Sequence, residues 1–236
     1  MTERIYIMRI MIIDTETANF VEQPLPYDVG YKIVETDNAE TLINRSFVVQ
    51  EIFTDKTLMA SAYYAKKCPQ YWDDLEAGTR EMKRITSIKR IVAQDLKDTD
   101  CHKIAAYNMG FDKRATNNGI RYNTQSFYRW FFPYGVEYID IWHMACSSIL
   151  RSKWYIKWAI KNGYISEAGN IKTSAEIVYR YITKNNDFVE SHTGFEDVEI
   201  ETAIYFKVLR SRMKYDDSVI GSPWRIVQNK RKEFGL

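Results

Sequence analysis

The chain has 236 residues, 45% hydrophobic and 14% aromatic, enough to bury a substantial core, and without internal repeats, low-complexity tracts or a Pro/Gly/Ser-rich linker it reads as one compact domain. Its 33 basic and 31 acidic side chains nearly cancel to a net charge of +2, which excludes attraction of nucleic acid by bulk charge and leaves only local patches for that purpose. Cys68, Cys101 and Cys146 form no Cys-x-x-Cys pair and are odd in number, which argues against a disulfide scaffold and for reduced thiols in an intracellular, cytoplasmic protein.

From the N terminus, the apolar run Ile5 to Ile13 is interrupted by Arg9 and stopped by Asp14. It is too short and too soon charged for a transmembrane helix and lacks a signal peptide's cleavage site. Its β-branched content predicts a buried strand over 5–14. Strand alternation puts Asp14 and Glu16 on one face, about 7 Å apart, close enough to share metal ions; the alternative is a polar strand end facing water. A hairpin follows, from Val29–Val34 through the Thr36–Glu40 turn to Ile43–Gln50. Helical patterns are expected at about 55–66 and 79–97, then a strand at 103–107, a helix at 110–119, a strand at 137–141 and helices to about 210. Thr173-x-x-Glu176 has the form of a capping box for one late helix. Residues 222–236 read as a basic tail that packs through Trp224 and Ile226 or frays.

Three Asp-x-Glu triplets occur, at Asp14, Asp74 and Asp197, and the first ends the apolar strand. Asn108 and Asp112 follow the short strand Lys103–Tyr107, at the kind of strand-to-helix junction where α/β sheets bind ligands. The simpler reading has Asn108 closing a turn and Asp112 favoured by the helix macrodipole. Among the three histidines, His192 alone has an aspartate five residues on, Asp197. Apolar residues at Ile200, Ala203, Ile204 and Val208 give the following segment a helical face, so Asp197 starts a helix and His192 lies on the loop before it. Such a loop suits a base that approaches water once substrate is bound, although an exposed loop histidine has the same appearance.

In this order, Asp14-Thr15-Glu16, Asn108 to Asp112, and His192 with Asp197 resemble the DEDDh (DnaQ-like) 3′-5′ exonuclease family of the RNase H-like superfamily, over the span from Asp14 to Asp197. The resemblance implies an α/β, RNase H-like fold with a mixed five-stranded sheet flanked by helices, in a domain over 1–221. It further implies Asp14, Glu16, Asp112 and Asp197 as ligands of two Mg2+ or Mn2+ ions. Asp14 would bridge the pair, Glu16 and Asp197 would serve the ion holding the attacking water, and Asp112 would support the other through water. His192 would be the general base in hydrolysis of single-stranded DNA or RNA from its 3′ end to 5′-mononucleotides. Where many relatives continue the first motif as Thr-Thr-Gly-Leu, this chain has Thr17-Ala18-Asn19-Phe20, which alters the grip on the terminal nucleotide. Substrate contacts are expected at Thr15, Thr17, Asn108, Phe111 and Lys157.

Lys153, Lys157 and Lys161 recur at helical spacing beside Trp154 and Trp158, and Lys83, Arg84, Lys89 and Arg90 form a second basic run. Each is either a phosphate-tracking edge or a solvated helix face. His143-x-x-Cys146 has no second pair to make a zinc site and reads as strand into buried helix. Two functions remain. One is a freestanding exonuclease acting in repair, replication, RNA trimming or, if virally encoded, host takeover, with no membrane association and with proofreading requiring a separate polymerase partner. The other is a non-catalytic nucleic-acid- or protein-binding module that retains the exonuclease fold. Neither sugar preference nor oligomeric state is written in the sequence.

Overall fold

The computed structural model describes residues 8–190 and 193–236. The expected strand positions 5–7, and His192, lie outside the described residues. In chain order the elements are β1 (Arg9–Ala18), β2 (Leu25–Glu35), β3 (Thr41–Val49), α1 (Gln50–Phe53), α2 (Lys56–Met59), α3 (Cys68–Ala77), β4 (Glu81–Lys83) and α4 (Ile85–Asp98). They continue with β5 (Lys103–Ala106), α5 (Met109–Thr124), β6 (Glu137–Asp140), α6 (Ile141–Ser147), α7 (Lys153–Lys161), α8 (Ala175–Thr183), α9 (Gly194–Arg210) and α10 (Trp224–Glu233).

The sheet runs β4-β3-β2-β1-β5-β6, so among the described residues it has six strands rather than the five expected. The additional strand is β4, three residues parallel to β3 through Phe47↔Glu81, Val48↔Met82 and Val49↔Lys83. It occupies residues that the helical pattern over 79–97 had absorbed; three residues are too few to show a period of two, and the helix itself starts at Ile85. The first expected helix, 55–66, is likewise reduced to the four residues of α2, with a separate α3 beyond it.

β1 is central. It pairs antiparallel with β2 from Arg9↔Glu35 to Ala18↔Leu25, and parallel with β5 at Met11↔Ile104 and Ile12↔Ala105. Ile10, Met11, Ile12 and Ile13 are wholly buried, each side chain contributing on the order of 2 kcal/mol. A strand covered on both faces reads as a continuous apolar run, which is why the sequence shows no alternation until Asp14. β1 also runs four residues past Asp14, so the acidic pair sits within the strand and not at its end.

By compactness the described residues form two units, the first comprising 8–105, 111–137 and 193–198 and the second 106–110, 138–190 and 199–236. In the first, α1 packs on β2 and α4 on β3. α4 buries Ile85, Ile88, Val92 and Leu96, a helical stripe, and Glu51 Oε2 accepts from the Ile85 N–H at its start. In the second, Asp140 caps α6 by accepting from the His143 N–H at 3.0 Å, and α10 packs against α6 and α7. The basic tail is therefore helical over Trp224–Glu233, and Val227 and Gln228, rather than Trp224 and Ile226, are its buried residues. Gln228 Nε2 donates to the Ile171 carbonyl at 3.2 Å and its Oε1 accepts from the Ile171 N–H at 3.0 Å. The capping box at Thr173 does not form. Ser174 takes the cap position of α8, Thr173 Oγ1 accepts from Trp142 Nε1 at 2.9 Å, and Glu176 pairs with Arg180 at 2.8 Å. Among the described residues, no helix is long and apolar enough to cross a membrane.

Candidate active site

Asp14, Glu16 and Asp197 meet in the first unit: one carboxylate oxygen from each lies within 4.8 Å of the others. Asp14 and Glu16 share a face of β1 because two residues complete one period of a strand. Asp197 arrives on the first turn of α9, where a carboxylate also meets the positive end of the helix dipole. At the start of that helix Thr193 Oγ1 donates to Glu196 Oε2, and the Asp197 N–H donates to the Thr193 carbonyl at 3.0 Å. Asp14 and Glu16 are half-buried and Asp197 is buried.

Asp112, the fourth expected ligand, is not among the three carboxylates that meet; it bonds instead to the residue between the two β1 acids. Its Oδ1 accepts from the Thr15 N–H at 3.1 Å and from Thr15 Oγ1 at 2.8 Å. β5 pairs with β1 only at Met11 and Ile12 and ends at Ala106, and further along β1 the Thr15 amide finds Asp112 instead. Asp112 is almost wholly buried, in the first turn of α5, the position that the macrodipole reading gave it. Asn108, just before α5, adopts φ 81°, a left-handed turn conformation that asparagine tolerates.

The expected substrate contacts are divided between the two units. Thr15 is buried against Asp112, whereas Thr17 and Phe111 are half-buried, with Arg114 5.5 Å above the Phe111 ring. Asn108 belongs to the second unit, as does Lys157, exposed on α7 between exposed Lys153 and Lys161. Trp158 packs on Tyr155, Tyr164 and Tyr181, while Trp154 is exposed. His143 Nδ1 donates to the Ser218 carbonyl at 2.8 Å.

A buried network in the same unit went unread in the sequence. Asp28, wholly buried on β2, accepts from Tyr71 Oη at 2.7 Å, from Arg80 Nη1 at 2.9 and 3.0 Å, and from the Gly194 N–H at 2.8 Å. Burial pushes the Asp28 carboxyl up from its ordinary value, and the Arg80 charge, Tyr71 and Gly194 pull against it. Beside Asp28, Gly30 lies so near the turn that an added Cβ would fall 2.4 Å from the Gly194 carbonyl carbon and oxygen. Nearby, burial and then the charge of Glu16 push the Tyr27 phenol up, keeping it neutral. The lone signal for this network was an aspartate inside an otherwise apolar strand, Tyr27 to Tyr31, which names no partner.

Three hard oxygen donors at this spacing suit Mg2+ or Mn2+, whose bonds of about 2.1 Å bring ligand oxygens to roughly 3–4 Å, within a side-chain rotation of the observed arrangement. The α/β sheet gathers these acids from its central strand and from the start of a distant helix. Comparison with solved structures makes this particular: the fold is that of the DEDDh 3′-exonucleases. The nuclease domain of 3'hExo, a DEDDh family member, bound to rAMP is similar at a TM-score of 0.58 and 12% identity, covering 91% of this chain and 98% of that one. E. coli Exonuclease I in complex with a dA16 oligonucleotide is similar at 0.53 and 16% identity over 94% of this chain and 42% of that one. Cell-death related nuclease 4 (CRN-4) is similar at 0.54 and 11% identity, over 97% and 77%. No family model matches the sequence, and no curated protein does either.

Proposed function

We propose that this chain is a metal-dependent 3′-5′ exonuclease that hydrolyses single-stranded DNA or RNA to 5′-mononucleotides, with residues 1–221 as the catalytic domain and 222–236 as a basic C-terminal segment. The observation that supports this most is the convergence of Asp14, Glu16 and Asp197, the last 181 residues beyond Glu16, on one point of the fold. Carboxylates gathered this closely repel one another unless a cation neutralises them, which gives a module with no use for metal little physical reason to keep them.

Asp14, Glu16 and Asp197 would hold two Mg2+ or Mn2+ ions, with Asp112 supporting the second. When bound, such a pair supplies positive charge to the attacking and leaving oxygens of an in-line displacement. Asp112, fixed to Thr15 by two hydrogen bonds, holds the strand segment between Asp14 and Glu16. His192 takes the proton from water as its oxygen attacks the terminal phosphorus, a task suited to a group that titrates near neutral pH. The bond from phosphorus to the 3′ oxygen of the penultimate nucleotide breaks, that oxygen is protonated, and a 5′-mononucleotide leaves. Fold relatives bound to rAMP and to dA16 motivate testing both sugars.

The test is a time course on end-labelled single-stranded DNA and RNA with Mg2+, Mn2+ or chelator. The expected result is stepwise shortening from the 3′ end that needs metal and is lost in Asp14→Ala and His192→Ala. Hydrolysis at the wild-type rate in either variant would overturn the assignment.

A further inference from the structure

From Lys113 to Tyr134 the chain carries Lys113, Arg114, Arg121 and Arg129 and no acid, a local charge of +4 within a protein whose net charge is +2. The same stretch exposes its rings. Phe127 is 81%, Tyr128 91% and Trp130 55% exposed, values that packing does not explain for side chains of this size. Arg121 lies 4.6 Å over the Trp130 ring, so one edge of the segment is a guanidinium stacked on an indole. None of Arg114, Arg121 and Arg129 forms an ion pair with a described acid.

These residues border a groove of about 400 Å3 in the first unit, lined by Asn19, Gln23, Asn118, Arg121, Tyr122 and Phe127, among others, with Glu22 as its acid. Asn19 is three residues beyond Glu16, at most about 11 Å of extended backbone from the carboxylate cluster. Arg121 is nine residues beyond Asp112 on α5, about 13 Å along the helix axis. A path of that length spans a few nucleotides.

We infer that the groove and the Phe127-Tyr128-Arg129-Trp130 segment form a stacking platform for single-stranded nucleic acid, holding bases upstream of the 3′ end. The inference rests on the nuclease reading for its choice of occupant. Exposed rings interleaved with arginines that form no ion pair, against the single acid Glu22 at the groove, match a polyanion whose bases present flat faces; a protein partner would call for neither the basic excess nor the repeated rings. The platform predicts tolerance of sequence, because every base has a face to stack.

The experiment measures binding of a 5′-fluorescein oligothymidylate in chelator, where metal-dependent hydrolysis cannot contribute, and separately measures hydrolysis of the same strand by the wild-type protein with Mn2+. Phe127→Ala and Tyr128→Ala should each raise Kd by roughly tenfold, with Tyr128→Trp restoring it, and Arg129→Ala should reduce the slope of log K against log salt by about 0.7. Unchanged Kd and salt slope in all three variants, or a wild-type protein that does not bind the strand, would overturn the platform. Absent hydrolysis by a wild-type protein that binds through these residues would instead overturn the nuclease reading and leave the platform standing.

Discussion

Asp28 on β2 accepts a 2.8 Å hydrogen bond from the N–H of Gly194, 166 residues later, at the residue where α9 begins. Three residues on is Asp197, so a buried carboxylate that takes no part in the acidic cluster fixes the helix end that delivers one of its members. Gly30 makes the approach sterically possible and Arg80 makes the buried charge tolerable.

Gly30→Ala tests the steric half. The new Cβ would fall 2.4 Å from the Gly194 carbonyl group and 2.6 Å from the Phe195 nitrogen, all backbone, so the start of α9 must move. A stability loss of about 1–3 kcal/mol is expected in urea unfolding. The larger effect should be on metal-dependent hydrolysis, because a displacement of about 1 Å at a reacting centre costs on the order of a hundredfold.

Arg80→Ala tests the electrostatic half. Arg80 donates to both Asp28 oxygens and, through Nε, to Asp74 at 2.9 Å, so its removal leaves a buried carboxylate without its cation, at a cost of about 3–5 kcal/mol. Burial then raises the Asp28 pKa unopposed by Arg80. A folded-state pKa above the unfolded one means stability is lost as pH rises, so the deficit should be largest at neutral pH and shrink on acidification. A deficit independent of pH in urea unfolding would remove Asp28 as its source.

The contrast between these residues and the acidic cluster shows what the sequence carried. Asp14 and Glu16 were legible because strand alternation is local, and Asp197 because the five-residue spacing from His192 and the apolar face of the following helix mark its place. The pairing of Asp28 with Arg80 and Gly194 spans 52 and 166 residues and has no periodic signature. β4 escaped for another reason: three residues against Arg84 and a long helix carry too little pattern to stand out, and their pairing with β3 is tertiary. The capping box was placed at Thr173, whose hydroxyl accepts from Trp142 instead, because a four-residue signature marks where such a box could form and packing decides whether it does.

Glu190 gives a pH dependence of its own. Burial, and after it the charge of Glu176, raise its pKa from 4.5 to about 7. Because the folded state binds this proton more tightly than the unfolded state, stability is fully present below pH 4.5 and falls as pH rises to about 7. Discounted for partial exposure, the loss is about 1–2 kcal/mol. Glu190→Gln should therefore match the wild type in urea unfolding at acid pH and exceed it at pH above 7; equal stability at both would show that Glu190 is not held above its ordinary value.

Thr15→Val separates the two hydrogen bonds on Asp112. Valine keeps the shape and the backbone N–H at 3.1 Å but removes the hydroxyl at 2.8 Å, leaving a buried carboxylate one donor short. About 1–2 kcal/mol should be lost in unfolding, and metal-dependent hydrolysis should fall with it, since Thr15 lies between the two acids of β1.

Asp197→Asn makes two predictions of opposite sign. Without metal, replacing one of three carboxylates whose oxygens lie within 4.8 Å relieves mutual repulsion, so in chelator the variant should melt at or above the wild-type temperature. With Mn2+ the order should reverse. Binding to the folded state alone stabilises by RT ln(1 + [L]/Kd), about 2.7 kcal/mol at a hundredfold excess over Kd, and a donor set short of one charge forfeits most of that. Melting curves of both proteins with and without Mn2+ decide the matter. A carboxylate cluster that serves only as a polar surface would give the wild type no metal-dependent shift and the variant no inversion.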